Sequence, residues 1–444
     1  MMKMIMILLF MFFFYLINKK IVFFFNIVYL CGFMFLIKFM FKDDIWIGVG
    51  MIFGLDQYSF FMLMLSFWIM GLVFMVICME MSQVKFNNFK LLLFLIMLII
   101  LVVFFSSSNL LMFYLMFEMS LIPMFIMIIF WGMNFERLSA AYYLLMYTMF
   151  ISLPLLIYLF KLFKFYGSFD FNMLMKYEYM LGFWDYLILF MAFYIKLPIY
   201  VFHVWLPKAH VEAPVFGSMI LAAVLLKLGG YGLLRFMMMF LIVSFKYNYL
   251  ILSVGIVGAL LMSLVCLVQI DMKKLVAYSS VVHMNMLMCS LLTLDKLGFV
   301  SAYILMISHG LCSSGLFYMV NLFYERSYSR LMMFNKGLMN LYSLLSFWWF
   351  ILCSVNFSFP FSLSFFSEIL LINAIISWEK FLIIYLMLIC FLNSAYSLYL
   401  YSYVQHGLIN IEEKFYMIFM KDFLILLIHI YPLFLLILNL YLFY

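Results

Sequence analysis

Long apolar runs follow one another along almost the whole chain and are separated by short polar segments. A helix that crosses a bilayer needs about 20 apolar residues, and about fourteen stretches come close to that length. The predicted spans are residues 4–18, 21–41, 59–79, 91–105, 110–131, 140–163, 184–206, 214–241, 249–269, 275–294, 299–323, 341–377, 380–404 and 422–443. The pattern predicts an all-α polytopic membrane protein, with residues 1–444 forming a single integral membrane domain.

Two of the predicted spans contain a proline that should interrupt the helix. The run from Leu341 to Trp378 would be roughly 55 Å long as one straight helix, whereas the apolar core of a bilayer is about 30 Å thick. Pro360 is the expected break in that run, because proline lacks a backbone donor and clashes with the preceding turn. Pro198 interrupts the span 184–206 in the same way. Paired interrupted helices are typical of transporters built from repeated halves.

Composition supports this fold class and excludes a soluble protein. The chain is 70% hydrophobic and 10% charged, whereas a soluble domain is about half apolar and a quarter charged. The 25 Lys and Arg residues are scattered, which predicts interfacial anchoring and no nucleic-acid partner. A weak bias of basic residues between alternate loops predicts that both termini lie on the outer side of the membrane. The 44 Met and 58 Phe suggest a mitochondrial gene, because packing does not require so many.

A few ionisable residues fall well inside the predicted spans. A lysine at membrane depth costs a few kcal/mol on insertion scales, so it is a candidate for function. The candidates are Glu118, Lys196, Lys227, His283, His309 and Glu368. Burial disfavours the charged form of an acid or a base, and an opposite charge nearby favours it. A buried lysine is therefore a group whose proton occupancy can be switched by moving a carboxylate towards or away from it.

Glu118 is the expected partner of Lys196, and Lys227, His283 and Glu368 are expected to continue a proton relay. Each residue also has a structural interpretation. Glu118 and Lys196 could form a static ion pair that only fixes helix packing, and Lys227 could extend to the membrane surface. The two span histidines could simply bond neighbouring helices. His203 and His210, beside Pro207, are interpreted as structural or as lining an entrance, with His203 a weaker relay candidate.

Motifs for cofactors and metals are absent from the sequence. There is no G-x-G-x-x-G, no P-loop, no C-x-x-C and no pair of transmembrane histidines at haem-like spacing. The seven cysteines lie mostly in apolar runs, which predicts small buried side chains. G-G-Y-G at residues 229–232 predicts close helix packing. We therefore expect no cofactor, no metal site and no redox centre in this chain.

Four long motifs resemble one known family. They are K-L-P-I-Y-V-F-H-V-W-L-P-K-A-H-V-E-A-P-V-F-G-S-M-I-L-A-A-V-L-L-K-L-G-G-Y-G from residue 196, F-E-M-S-L-I-P with W-G-M-N-F-E-R-L in 117–138, Q-I-D-M-K-K-L-V-A-Y-S-S-V-V-H-M at 269–284, and I-S-H-G-L-C-S-S-G-L-F at 307–317. Taken in their order along the chain, they resemble the chain 4 family of mitochondrial NADH–ubiquinone oxidoreductase, respiratory complex I. The distinctive residues cover roughly 109–335, and the flanks agree in hydropathy alone.

The resemblance implies about fourteen helices, with two inverted five-helix repeats that each contain an interrupted helix. N-terminal helices would occupy 1–90, the repeats 91–241 and 249–404, and a C-terminal helix 405–444. Residue by residue, Glu118 would pair with Lys196, Lys227 would be the central lysine, His283 the following histidine and Glu368 the terminal acid. At Glu368 the chain has F-P-F-S-L-S-F-F-S-E, where the family has a proline pair and Gly-Glu.

The resemblance also implies a function for the whole complex. The chain would be a core membrane-arm subunit that translocates protons across the mitochondrial inner membrane. NADH, FMN, iron–sulfur clusters and ubiquinone would be handled by other subunits, so the chain would be an enzyme only as part of that complex. Its expected partners are other membrane-arm subunits, including homologous antiporter-like chains, and lipids. A multi-subunit cation/proton antiporter and a structural membrane scaffold remain the alternatives.

Overall fold

The computed structural model describes residues 2–17, 26–34, 53–79, 84–132, 134–177, 179, 181–408 and 418–443. The predicted span 21–41 lies partly outside these residues. Within them the secondary structure is helical, apart from isolated bridges between loops. The helices are α1 Met2–Ile17, α2 26–34, α3 Gln57–Met79, α4 Val84–Ser106, α5 Leu110–Met119, α6 Leu121–Trp131, α7 Arg137–Tyr166, α8 Phe171–Leu174, α9 Phe183–Lys196, α10 Trp205–Glu212, α11 Val215–Ile220, α12 Leu226–Met239, α13 Leu241–Val268, α14 Met272–Leu292, α15 Lys296–Ser327, α16 Leu338–Leu341, α17 Ser343–Asn356, α18 Leu363–Trp378, α19 Ile383–Gln405 and α20 Met420–Leu435.

Ten helical stretches of the described residues are long and apolar enough to cross a membrane, and α17 and α18 are shorter apolar helices. This confirms the prediction of an all-α polytopic membrane protein. The boundaries proposed for the two repeats stay a prediction.

The most buried stretches form the centre of the bundle. The candidate spans Val215–Met239 and Met272–Leu292 are 100% and 94% buried within the chain, whereas Lys380–Gln405 is 28% buried. Apolar helices on the outside of a membrane bundle face lipid or neighbouring subunits. The central helices α12, α14 and α15 carry Lys227, His283 and His309, so these side chains lie in the protein interior.

The first predicted interruption is confirmed between α9 and α10. Helix α9 ends at Lys196, two residues before Pro198, and α10 begins at Trp205. At the break, the main-chain oxygen of Ile195 loses its helical partner, because the chain is no longer helical four residues further on. The Trp205 indole nitrogen donates a hydrogen bond to that oxygen at 3.1 Å. An interrupted helix at membrane depth thus keeps its main chain bonded within the protein.

Replacing Trp205 with phenylalanine should destabilise this break. The ring volume is mostly kept, but the Ile195 oxygen is left buried without its donor, which costs about 1–3 kcal/mol. We expect a lower midpoint temperature of thermal unfolding, measured by thermal challenge of the purified protein in detergent. Trp184→Phe is the matched control, because Trp184 is exposed at the start of α9, the helix before the break. Equal thermal stability of the two variants would contradict the role given to the Trp205 hydrogen bond at the break.

The second predicted interruption is confirmed between α17 and α18, around Pro360. Ser358 and Phe361 flank the proline with φ of 60° and 69°. A bulky residue seldom adopts this left-handed conformation, so the surrounding structure must hold it there. The Ser364 hydroxyl donates to the main-chain oxygen of Val355 at 2.8 Å, which satisfies one group freed by the break. The break therefore forms around a single proline, Pro360.

Candidate functional site: an axis of lysine, histidine and glutamate side chains

Lys196 lies at the exact point where α9 stops, and its side chain turns into the protein. Its exposed fraction is 3%. The ammonium donates a hydrogen bond to the main-chain oxygen of Phe117 at 2.6 Å and lies 3.1 Å from the centroid of the Phe117 ring. An aromatic face and a carbonyl oxygen both stabilise a cation. The lysine is thereby fixed against α5, next to Glu118.

Glu118 follows Phe117 in the chain, whose main-chain oxygen and ring hold the Lys196 ammonium. Its two carboxylate oxygens are buried and have no hydrogen-bond partner among the described residues. A buried carboxylate without a hydrogen bond costs free energy and calls for an explanation, such as a water molecule or a bound proton. The geometry therefore differs from a closed ion pair, which would satisfy both groups.

A cavity of about 20 Å³ adjoins Lys196 on the side that faces α11 and α12. Its walls are Leu121, Leu144, Thr148, Lys196, Trp205, Leu221 and Leu225. A cavity holds a water molecule when it offers about 10–15 Å³ and polar partners. The Lys196 ammonium and the Thr148 hydroxyl are such partners. One water molecule therefore fits between Lys196 and the segment that precedes Lys227.

Glycines bring α12 close to the break that carries Lys196. A Cβ atom at Gly229 would lie 3.0 Å from the main-chain oxygen of Phe193, and one at Gly232 would lie 2.4 Å from the Phe193 ring. Side chains at these positions would push α12 away from α9. The glycine motif therefore sets the short separation between the helices of the two lysines.

Lys227 is fully buried and follows a turn of π-helix, Leu221–Leu225, which joins α11 to α12. Its ammonium donates to the main-chain oxygen of Ala222, within that turn, and bonds Nδ1 of His309 at 2.9 Å. π turns are rare and occur frequently at functional sites. Here the turn supplies one of the oxygens that hold the central lysine.

His309 connects Lys227 to His283. The ring centroids of the two histidines are 5.4 Å apart with an interplanar angle of 50°. Nδ1 of His283 lies 3.6 Å from Oε1 of Glu368, and Nε2 lies 3.5 Å from the Tyr396 hydroxyl. Sequence analysis named His309 as a candidate but did not include it in the expected relay, whereas in the structure it lies between Lys227 and His283.

Glu368 lies on α18, after the second break, with 17% of its side chain exposed. A small cavity adjoins it and is also lined by His283, Cys390 and Asn393. The Asn393 amide oxygen is buried without a hydrogen-bond partner among the described residues. Glu368 thus lies beside His283, at one end of the series of titratable groups that starts at Lys227.

His203 lies outside the axis, in the connection between α9 and α10. It lines a cavity of about 320 Å³ at the end of the bundle where α13 meets α14, which we call the cavity end. The lining includes Glu136, Ser139, Ala140, His203, Val204, Pro207, Lys208, Val211, Glu212, Gln269, Lys274 and Tyr278. Of its two interpretations, the structure favours the entrance-lining one for His203.

His210 and Lys273 are two buried groups that sequence reasoning did not place in the site. Both ring nitrogens of His210 lack a hydrogen-bond partner among the described residues, and the ring stacks on Phe317 at 4.6 Å. His210 lies on α10, which packs against α14, the helix that carries Lys273. Lys273 donates to the main-chain oxygen of Ala213 at 3.2 Å. Only tertiary packing buries these residues, since both lie near predicted span ends.

The set of groups suits proton transfer more than metal or cofactor chemistry. Lysine and histidine nitrogens and carboxylates each take up and release a proton. Among the described residues, no cluster of three or more His, Cys, Asp or Glu side chains could hold a metal ion. A linear series of such groups inside a membrane protein is the arrangement used by proton relays.

Comparison with known sequences identifies relatives over nearly the whole chain. Residues 107–393 match the family described as NADH:quinone oxidoreductase/Mrp antiporter, TM, and residues 1–89 match NADH-ubiquinone oxidoreductase chain 4, amino terminus. NADH-ubiquinone oxidoreductase chain 4 of Aedes aegypti is 47% identical over 419 residues, which are 93% of each chain. The chain 4 of Ceratitis capitata is 44% identical over 427 residues, again 93% of each chain.

Solved structures share the fold. A chain of respiratory complex I from Thermus thermophilus with bound NADH has a TM-score of 0.84 at 23% identity, covering 92% of this chain and 89% of that chain. A chain of the membrane-bound sulfane sulfur reductase, an archaeal respiratory membrane complex, has a TM-score of 0.75 at 19% identity, covering 85% and 64%. With the family matches and the two insect relatives, the conclusion is that this chain belongs to the NADH-ubiquinone oxidoreductase chain 4 family.

Proposed function

We propose that this chain is a membrane-arm subunit of mitochondrial NADH:ubiquinone oxidoreductase and translocates protons across the inner membrane. The observation that carries the proposal is the buried contact series from Lys227 through His309 and His283 to Glu368. Other subunits of that complex would bind NADH, FMN, the iron–sulfur clusters and ubiquinone. Homologous antiporter-like chains and lipids would surround this one in the membrane arm.

In the second half of the axis, a proton on Lys227 has a direct acceptor. The lysine bonds Nδ1 of His309, so the other ring nitrogen of His309 carries the proton that leaves towards His283. Between the two rings, a water molecule or a ring rotation completes the path, because the centroids are 5.4 Å apart. His283 then passes a proton to Glu368 at 3.6 Å. Each transfer leaves the donor ready for reprotonation.

In the first half of the axis, Glu118 determines whether Lys196 is charged, and Lys196 in turn affects the proton occupancy of Lys227. With Glu118 near, Lys196 is stabilised as a cation; when the carboxylate is protonated or withdrawn, the buried lysine releases its proton. The cavity beside Lys196 has room for one water molecule, which would link the lysine to the π turn before Lys227. Moving one charge against the membrane potential costs about 2.3 kcal/mol per 100 mV. Redox energy from the other subunits must therefore reposition these charge pairs.

The cavity end supplies a route between this axis and the membrane surface. Glu212 lines the cavity, and its Oε2 atom has no hydrogen-bond partner among the described residues. Buried Lys273 donates to the main-chain oxygen of Ala213, which follows Glu212 in the chain, and buried His210 lies on the same helix as Glu212. These buried groups are the candidates to carry protons from the large cavity towards the central lysine.

The cation/proton antiporter alternative is less well supported by the side chains. A sodium ion prefers oxygen ligands, and the centre of the axis consists of lysine and histidine nitrogens. The scaffold alternative leaves the buried lysines and the unpartnered Glu118 oxygens without a reason, because a buried charge is weak evidence for stability. Proton transfer accounts for both features.

Replacing Glu368 with glutamine tests the proposed function. The amide keeps the shape but cannot take the proton from His283, so proton transport through this chain should fall about tenfold, equivalent to ~1.4 kcal/mol in barrier height. Partial exposure of Glu368 lets water carry some of the flow. Protons moved per NADH oxidised would be measured in proteoliposomes that contain the complex, with sodium replaced by potassium in a parallel series.

Glu379→Gln is the matched control, because Glu379 is exposed at the end of the same helix. An assembled Glu368→Gln complex that moves as many protons as the control would contradict the proposal. A defect that appears only when sodium is present would favour the cation antiporter instead.

A further inference from the structure

A second buried charge cluster lies on α12, beyond Lys227, and takes no part in the proposed relay. Arg235 is 5% exposed and Asp56 is 8% exposed. Nη1 of the guanidinium bonds Oδ2 of Asp56. Nε and Nη2 both donate to the Tyr231 hydroxyl, at 2.9 and 2.7 Å. The guanidinium is therefore held between a carboxylate and a phenol, eight residues or about 12 Å along the helix from Lys227.

Tyr231 lies one turn from Lys227, but its hydroxyl is committed to other partners. It accepts two hydrogen bonds from Arg235 and donates its own hydrogen to the main-chain oxygen of Phe105 at 3.3 Å. A hydroxyl has one hydrogen to donate and two lone pairs. With all three in use, Tyr231 cannot accept one proton and pass on another. It forms a barrier between Lys227 and Arg235.

The cluster lies at the end of the bundle opposite the cavity end. Arg235 is near the end of α12, just before α13 begins at Leu241, whereas the large cavity adjoins the junction of α13 with α14. Helix α13 has 28 residues, which is about 42 Å at 1.5 Å per residue. The two polar sites are therefore separated by the thickness of the membrane.

Neighbouring groups close the cluster tightly. The Ser59 hydroxyl accepts a hydrogen bond from the main-chain nitrogen of Asp56 at 2.7 Å. The Tyr303 hydroxyl donates to the main-chain oxygen of Gln57 at 2.8 Å, and its ring packs edge-on against Tyr58 with centroids 4.9 Å apart. The start of α3 is thereby bound to α15, and the aromatic rings cover the ion pair.

We propose that Arg235, held by Asp56 and Tyr231, seals Lys227 from the membrane surface at this end of the bundle. The inference rests on the proposed function, since a seal has meaning only if Lys227 exchanges protons. A guanidinium keeps its charge at every physiological pH and does not transfer its protons. Its fixed positive charge opposes the passage of a proton, as arginine does in other selective pores. Lys227 then receives protons from the cavity end alone and passes them to His309.

Stability alone gives a weak reason for this ion pair. Removing two charges from water costs as much as their attraction returns, so neutral replacements of similar shape are often tolerated. A seal requires the charge itself. A structural role for the pair predicts that a neutral pair of similar shape has no effect on proton leak. A seal predicts that the same replacement increases the leak.

The double variant Asp56→Asn with Arg235→Gln tests the seal. It removes both charges without leaving either one buried alone. In proteoliposomes that contain the assembled complex without NADH, an imposed pH gradient should decay about tenfold faster, because neutral amides replace the fixed guanidinium that does not transfer its protons. Arg235→Lys should leak less than the double variant, because it keeps a cation. Arg137→Gln, an exposed arginine at the start of α7, should leave the decay unchanged.

Adding Lys227→Ala to the double variant should remove the extra leak, because the path runs through Lys227. A double variant as tight as the unaltered complex would overturn the seal. So would a leak that persists without Lys227, or a double variant that does not assemble, since the pair would then be structural. These measurements use no NADH turnover. The seal proposal can therefore be rejected while Glu368→Gln still shows a transport defect. Equally, Glu368→Gln can transport normally while the double variant leaks.

Discussion

Glutamine at position 309 should leave the complex assembled and stop the proton transport that passes through this chain. The glutamine amide oxygen can still accept a hydrogen bond from Lys227, which bonds His309 at 2.9 Å in the structure. An amide does not take up a proton at neutral pH, so the path from Lys227 to His283 is cut. Positioned proton transfer contributes about 10²–10⁴-fold to a rate, and transport through this chain should fall by about 10²-fold or more.

The measurement is the number of protons moved per NADH oxidised by the reconstituted complex. His406→Gln is the control of the same residue type, since His406 is exposed where α19 ends. Native gels establish that both variants assemble. Full transport by an assembled His309→Gln complex would show that His283 receives its protons without His309, and the axis as described would be wrong.

Glu118→Gln alone should prevent stable assembly, whereas Glu118→Gln combined with Lys196→Met should restore assembly but not transport. The single change leaves the Lys196 charge buried without its counter-charge, which costs about 3–5 kcal/mol. The double change removes both charges, and methionine fills much of the lysine volume. A purely structural ion pair would predict that the double variant recovers transport as well as assembly.

The exposed pair of Lys161 and Asp185 gives the matched control for this experiment. These side chains lie 3.2 Å apart at 52% and 28% exposure, and Asp185 is on the same helix as Lys196. Exposed ion pairs contribute about 0–1 kcal/mol, so Lys161→Met with Asp185→Asn should assemble and transport normally. Amounts of assembled complex and protons per NADH, measured side by side, separate the stability effect from the transport effect.

The fold and its two breaks follow from local properties of the sequence. Apolar runs fix the spans because a bilayer imposes a length on any helix that crosses it. Pro198 and Pro360 fix the breaks because proline removes a backbone donor wherever it stands. Each of these effects acts within a few residues of the chain. They could therefore be predicted without knowing which helix packs against which.

The order of the groups in the axis could be predicted only in part. Lys196 and Lys227 were evident from their depth in apolar runs, but a lone histidine in a span has no local property that names its partner. His309 can bond Lys227 because α15 packs against the π turn that orients the Lys227 side chain. His210 and Lys273 lie near span ends in the sequence, and only the folding of α10 against α14 buries them. The partners of these residues come from distant parts of the chain.

The π turn at Leu221–Leu225 sets the rotation of everything that follows on α12. A π turn holds one residue more than an α turn, and one residue corresponds to about 100° around a helix. Lys227, Tyr231 and Arg235 all lie beyond it. A helix shortened by one residue here would turn the central lysine from His309 and the arginine from Asp56 at once. The length of the π turn therefore determines two contacts together: the bond from Lys227 to His309 in the transfer path, and the Arg235–Asp56 pair that forms the seal.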